Sequence, residues 1–380
     1  MILSDARDYP LAYHGFSIGF YARALQLLGK RASKDARRLL GRLVHASWLL
    51  TAPDGDLAYI GRSSEDVWSL SATAFGARLA ARQRGTAPTR RGRDNALADR
   101  AIARIRTAYG VGPTGSWIVP ALARDPQLGL LGLDAYSGAA AFAGLAMMQL
   151  NWAIEISQIP LRPAKLAADY QGTSQVLRRG STLTLVRSGD RWFAVRQAPS
   201  TRYVSDLRYD FGLVALKQGS GRTWRDVLPI RPISTGAPSS AGPVLLLANN
   251  GIAVPYGTDT KVARGAIVTV TGGFRLPAGA WIRRGISFRF EPAGCGVRTT
   301  FPVVAGDVVE YSSFMRGATA DVQVTDTSVA DATQLVTFSQ PAQITLEEGY
   351  ASAVDPKLVR ARAVFRPAAP GQITVTVCAK

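Results

Sequence analysis

The chain has 380 residues, 47% of them hydrophobic, which is too long for one ordinary compact domain and apolar enough to bury two or three cores. That balance excludes a disordered chain and a small scaffold held only by disulfides. The net charge of +18 favours a polyanionic partner, and it is spread along the chain rather than gathered in a tail.

The first part reads as helix after helix. Met1-Ile-Leu-Ser-Asp-Ala-Arg has neither the basic nor the apolar region of a signal peptide. A first helix is predicted over Pro10–Leu28, with Asp8 as N-terminal cap and Gly29 as stop. A second spans Lys34–Leu50, where Leu39, Leu40, Leu43, Val44 and Trp48 form an apolar stripe. After a turn at Thr51-Ala-Pro-Asp-Gly-Asp, a third covers Glu65–Arg82, capped by Ser63 or Ser64, and a fourth covers Asp94–Tyr109. The fifth, Asp134–Ile156, contains a run of membrane length. It is rich in Ala and Gly and carries Gln149 and Asn151, so it reads as a buried core helix and not a transmembrane segment.

Past Pro160 the period changes from helix to strand. Ser174–Arg187 and Arg191–Gln197 alternate around Ser188-Gly189-Asp190, the mark of a hairpin. Further strands are predicted at Tyr203–Lys217, Pro243–Ala248, Ala266–Thr271, Trp281–Phe290, Val308–Phe314, Leu335–Phe338, Ala361–Phe365 and Ile373–Val377. The fold class is therefore α+β and multidomain. Helical hairpins of the kind that make bundles or α/α barrels occupy residues 1–158, and a large antiparallel β-sandwich occupies 159–380. Cys295 and Cys378 are the only cysteines. They form one disulfide in an oxidising compartment or remain two buried thiols. Two cysteines and the distant His14 and His45 cannot build a metal site, and no cofactor motif is present.

Tyr13 and His14, side by side at a helix start, are the leading candidates for chemistry. β-Elimination from an acidic sugar needs a base for the proton α to the carboxylate, an acid for the leaving oxygen and a cation for the carboxylate. A tyrosine serves when nearby positive charge lowers its pKa, and Arg7 and Arg62 are candidate neighbours. The competing reading is that Tyr13 packs and His14 bonds locally. Tyr59, Arg62 and Glu65 lie on the loop Asp54–Glu65, which is either the wall of a sugar cleft or a capped turn. Asn151 and Trp152 could read hydroxyls and stack on a pyranose, or simply pack a helix end. Gly15-Phe-Ser-Ile-Gly19 matches a nucleophile elbow, but inside a helix and without alternating β and α units the match is chance.

Three segments carry a family resemblance. Ser4-Asp-Ala-Arg-Asp-Tyr-Pro-Leu-Ala-Tyr13-His14 resembles the Tyr-His helix start of heparinase II/III-like polysaccharide lyases. Pro53-Asp-Gly-Asp-Leu-Ala-Tyr59-Ile-Gly-Arg62-Ser63 is similar to their proline-aspartate-glycine loop. Ala198-Pro-Ser-Thr-Arg202, Tyr209-Asp-Phe-Gly212 and Trp224-Arg-Asp-Val-Leu-Pro229 resemble the first β-sandwich stretch of the wider toroid-plus-sandwich lyases.

The resemblance implies that the helical part is an incomplete α/α toroid, with a cleft for uronate-containing polysaccharide, Tyr13 as catalytic acid/base with His14 beside it, and Arg202 among the substrate contacts. It also implies a secreted or cell-surface protein, of which this chain would be an N-terminally truncated piece. The same scaffold without turnover would be a carbohydrate-binding protein, and the family's β-domain histidine has no counterpart here. Only 7 of the 45 cations are lysine, and arginine grips carboxylate and sulfate in pairs of hydrogen bonds. Codon bias would give the same preference. Acidic polysaccharide is the expected partner. Nucleic acid is disfavoured because the charge is diffuse, and nothing sets an oligomeric state.

Overall fold

The computed structural model describes residues 11–57, 59–61, 63, 65–83, 85–111, 115, 117–120, 125, 140–158, 172–178, 181–200, 206–221, 223–232 and 240–380. The chain divides into two compact units, one of residues 1–130 and 134–170, the other of 131–133 and 171–380.

The first unit contains helices α1 (Leu11–Leu28), α2 (Lys34–Leu50), α3 (Val67–Arg82), α4 (Pro88–Ala108) and α5 (Ala140–Ser157), with a short two-stranded ladder of β1 (Gly110–Val111) and β2 (Trp117–Ile118). α2 starts where Ser33 Oγ accepts the Ala36 N–H at 3.1 Å, satisfying one orphan donor of the first turn. α1 ends at Gly29, whose φ of +50° is cheap only for glycine. α3 is the central helix. Its buried positions run almost unbroken from Val67 to Ala77, the mark of a helix packed on every side.

Two expectations for this unit shift. α4 begins at Pro88, six residues before the predicted start, because Pro88 sits in the first turn where its missing N–H costs nothing. α3 is not capped by Ser63, and Ser64 lies outside the described residues. Asp66 occupies the N-cap and makes no side-chain cap bond, while Ser63 takes a φ of +59°. The expected cap at Asp8 lies outside the described residues.

In the second unit, β3 (Gly172–Arg178), β4 (Ser181–Ser188), β5 (Arg191–Arg196), β6 (Gly212–Gln218) and β7 (Arg225–Asp226) form a five-stranded antiparallel sheet. The larger sheet holds twelve described strands: β8 (Pro243–Leu246), β9 (Ile252–Ala263), β10 (Ile267–Arg275), β11 (Trp281–Ala293), β12 (Gly296–Val303), β13 (Val309–Arg316), β14 (Gln323–Val324), β15 (Ser328–Ala330), β16 (Gln334–Phe338), β17 (Gln343–Tyr350), β18 (Leu358–Phe365) and β19 (Gly371–Ala379). One core joins the two sheets, with Phe193, Val195 and Leu213 from the small sheet against Phe288, Phe290 and Phe301 from the large one. Helices then precede an antiparallel β-sandwich, as the change of period indicates.

β7, β9, β12, β14, β15 and β17 lie outside the predicted strands. β9 carries Pro255, which usually breaks a central strand. Here β8 pairs with β9 only at Ile252 and Ala253, so the missing N–H of Pro255 is not needed on that side. Cys295 and Cys378 are joined as a disulfide, clipping β19 to the start of β12, where Gly296 pairs with Cys378. Closing 83 residues of chain restricts the unfolded state. The double variant Cys295→Ala/Cys378→Ala is expected to lose about 2–4 kcal/mol in denaturant unfolding of this unit; an unchanged transition would show that strand pairing alone closes the sheet.

Candidate functional site

α1 and α3 meet through backbone. A Cβ on Gly15 would fall 2.6 Å from Ser69 Oγ, one on Gly19 2.8 Å from the Ala72 Cβ, and one on Gly76 2.2 Å from Ile18 Cγ2. The Gly15-x-x-x-Gly19 spacing is therefore a contact face between helices. This contact orients α1 about its axis.

His14 turns into the interior and has no exposed surface. Burial lowers its pKa to about 4, opposed by a hydrogen bond with the Leu43 backbone. The ring is thus neutral at physiological pH and shielded from solvent. Tyr13, the preceding residue, is half-buried. Its ring lies 5.6 Å from Trp68 and 6.3 Å from Phe16, both edge to face.

Phe16 and Phe20 continue the same stripe at i+3 and i+7. Phe16 meets Trp68 and Phe20, each at 4.9 Å, and Phe20, 43% exposed, meets Trp152 on α5 at 6.4 Å. Arg23 closes the row. Its guanidinium lies 4.7 Å from the Trp152 ring and 3.2 Å from Glu155. Asn151 is exposed beside Trp152. The structure thus brings Tyr13 and Trp152 into one aromatic row and turns His14 away from it, toward Leu43 on α2. Phe16, Phe20 and Arg23 complete that row, and the buried Trp68 of α3 lies under it. The i, i+3, i+7, i+10 spacing of Tyr13, Phe16, Phe20 and Arg23 was the available signal in the sequence.

The loop after α2 is occupied with its own stability. Tyr59 is buried and donates its hydroxyl to the Leu50 carbonyl at 3.0 Å. Glu65 is buried and receives Arg104 at 3.0 Å, while Arg104 also reaches Asp54 at 3.3 Å. Tyr109 donates to the Glu65 carbonyl. Burial, and then the Glu65 carboxylate, keep the Tyr109 phenol protonated. Gly55 and Gly61 take φ values of +91° and +80° to close these turns. The roles anticipated for Tyr59 and Glu65 at a sugar cleft thus meet side chains turned into the protein. Arg7, Arg62 and Arg202 lie outside the described residues.

The second histidine, His45, sits on α2 with Nδ1 2.9 Å from Arg93, and burial and then the Arg93 charge lower its pKa. Among the described residues, no group of three or more His, Cys, Asp or Glu is placed to hold a metal ion. Among them too, no helix is long and apolar enough to cross a membrane.

No protein-family model matches the sequence, and no curated protein does. Solved structures are similar over nearly the whole chain. Chondroitin AC lyase of Streptomyces coelicolor, in complex with chondroitin sulphate, is 12% identical with a TM-score of 0.44, over 98% of this chain and 52% of that one. A heparinase III is 12% identical with a TM-score of 0.41, over 99% and 60%. The 4-alpha-glucanotransferase of Thermococcus litoralis is 8% identical with a TM-score of 0.43, over 98% and 56%. The chain spans between half and three fifths of the length of these structures.

Two outcomes check this geometry. Gly15→Val should force α1 off α3 and cost about 2 kcal/mol in chemical denaturation, as overpacking does; a neutral change would place the helices further apart. His14 is neutral in the fold and readily protonated when unfolded, so its contribution is complete above about pH 6.5 and lost as the pH falls toward about 4. Melting temperature should drop across that window, and His14→Gln should flatten the drop; a wild-type curve that stays level there would mean that His14 reaches solvent.

Proposed function

We propose that the protein is a polysaccharide lyase-like protein for uronate-containing chains, with Tyr13 as its proton-transfer group. The observation that carries this reading is the aromatic ridge from Tyr13 through Phe16 and Phe20 to Trp152, bounded by Arg23 and Asn151. Aromatic faces cover the apolar faces of sugar rings, an amide reads hydroxyls, and a guanidinium pairs with a carboxylate. Arg23 stands ten residues from Tyr13, about 15 Å along the helix, so it would hold a sugar beyond the one being cleaved.

In the reaction, the Tyr13 phenolate takes the proton on the carbon α to the uronate carboxylate. The electron pair left behind forms a carbon–carbon double bond, and the bond to the glycosidic oxygen breaks. That oxygen recovers a proton from the Tyr13 hydroxyl, which returns to phenolate. The disulfide fits an oxidising compartment, and we place the protein outside the cytoplasm, secreted or on the cell surface.

One observation favours a second reading, a non-catalytic carbohydrate-binding protein. The histidine beside Tyr13, His14, is buried and neutral and so is turned away from any bound sugar. Incubation with hyaluronan, polygalacturonate or heparan sulfate separates the two. Turnover appears as ultraviolet absorbance of the new unsaturated uronate and should fall at least about a hundredfold in Tyr13→Phe. Retention of polysaccharide with no absorbance change in the wild type would leave only the binding reading.

A further inference from the structure

We propose that the outer face of the large sheet, over β9, β10, β11, β12 and β19, is a second binding track for acidic polysaccharide, separate from the ridge on the helical unit. Strand register defines it. Phe274, Ile286, Phe288, Phe290, Val297 and Val375 face the core. Residues directly opposite each other in an antiparallel pair share a face. The alternate positions therefore form one outward surface.

At one end of that surface, Tyr256, Gly273 and Arg284 lie in register across β9, β10 and β11, and Arg275 lies opposite Trp281. The Tyr256 and Trp281 rings meet edge to face at 6.0 Å. Arg275 lies 4.2 Å from the Tyr256 centroid and 5.9 Å from that of Trp281, while Arg284 lies 5.1 Å from Trp281. No carboxylate among the described residues pairs with either guanidinium. Gly273 leaves the position between Tyr256 and Arg284 without a side chain, and a Cβ there would fall 2.0 Å from the Arg283 carbonyl oxygen. The result is a cluster of two rings and two unneutralised cations packed over a buried glycine.

Further along β11 the face becomes a polar hollow of about 550 Å³ lined by Arg289, Glu291, Arg298, Thr300, Thr374 and Thr376, among others. Arg289 and Arg298 share one carboxylate, Glu291, at 2.7 and 3.3 Å, so one positive charge is in excess. Thr300 and Thr374 hydroxyls meet at 3.2 Å across β12 and β19.

Rings with free guanidiniums suit a sugar bearing a carboxylate or sulfate, and a row of hydroxyls suits its neighbours. Arg284 and Arg289 are separated by about 14 Å along the strand, allowing for the irregularity between them. That spacing fits a polymer with sparse charge better than a nucleic-acid strand, which places a phosphate every ~3.4 Å along a duplex.

This inference rests on acidic polysaccharide being the partner, though not on turnover. The test is binding of the full chain at low salt to immobilised hyaluronan, which bears carboxylate alone, and to chondroitin sulfate, with a single-stranded DNA oligonucleotide as competitor. Arg275→Ala/Arg284→Ala, Trp281→Ala and Arg289→Ala/Arg298→Ala should each weaken binding about tenfold with unchanged melting. Arg31→Ala/Arg42→Ala, which removes equal charge from the helical unit, should change it less than about twofold. A selective effect on chondroitin sulfate would assign the track to sulfate, and an equal effect on both would assign it to carboxylate. Equal losses in the control and the track variants, preference for DNA, or no binding to either polysaccharide would overturn the proposal. Tyr13→Phe should leave this binding intact. Binding through the track without an unsaturated product would thus refute the lyase reading alone, whereas turnover with unaffected track variants would refute the track alone.

Discussion

Where α1 crosses α3, backbone lies against backbone, and this close approach governs the helical unit. Gly15 and Gly19 lie against Ser69, Thr73 and Ala72, and Gly76 lies against Ile18, so none of the three glycines has room for a Cβ. Once that face of α1 is committed, the helical period decides the rest. His14 must turn inward, where burial strips it of charge. Tyr13, Phe16, Phe20 and Arg23 must line the opposite flank, within reach of Trp68 and Trp152. Two adjacent residues that look like a catalytic couple are thus turned about 100° apart around the helix, one into the interior and one onto the half-buried flank.

The sandwich obeys a different period to similar effect. Alternation sends phenylalanine and valine to the shared core and sends arginine, threonine and tryptophan to the outer face. Many of the arginines are neutralised locally. Arg360 and Arg362 meet Glu310 and Glu347 across β13, β17 and β18, and Arg316 meets Asp355. The excess charge is therefore more localised than composition suggests. At Arg275 and Arg284 aromatic rings, rather than carboxylates, accompany the guanidiniums.

Much of the architecture was legible in the chain. α2 begins and ends at the predicted residues, because Ser33 offers a cap and the apolar stripe repeats cleanly. The turn at Gly189-Asp190 joins β4 to β5 as its residue types require. The start of α4 was harder to see, since its first turns are polar and arginine-rich and carry no apolar stripe. β9 was concealed by Pro255 and Gly257, whose acceptability depends on where β8 stops pairing.

The candidate sites divide along the same line. Residue type and spacing alone determined that α1 carries a tyrosine beside a histidine, that the chain is basic, and that helices give way to strands. These are properties of local period and composition, which neighbours along the chain suffice to specify. Only the tertiary structure decided that His14 is neutral and enclosed, that Tyr59 and Glu65 are turned into their own loop, and that Tyr256, Trp281, Arg275 and Arg284 converge. Each of those outcomes depends on which distant backbone comes to lie against a given face. Burial and register across separate strands set that choice, and neither is encoded at a fixed sequence spacing.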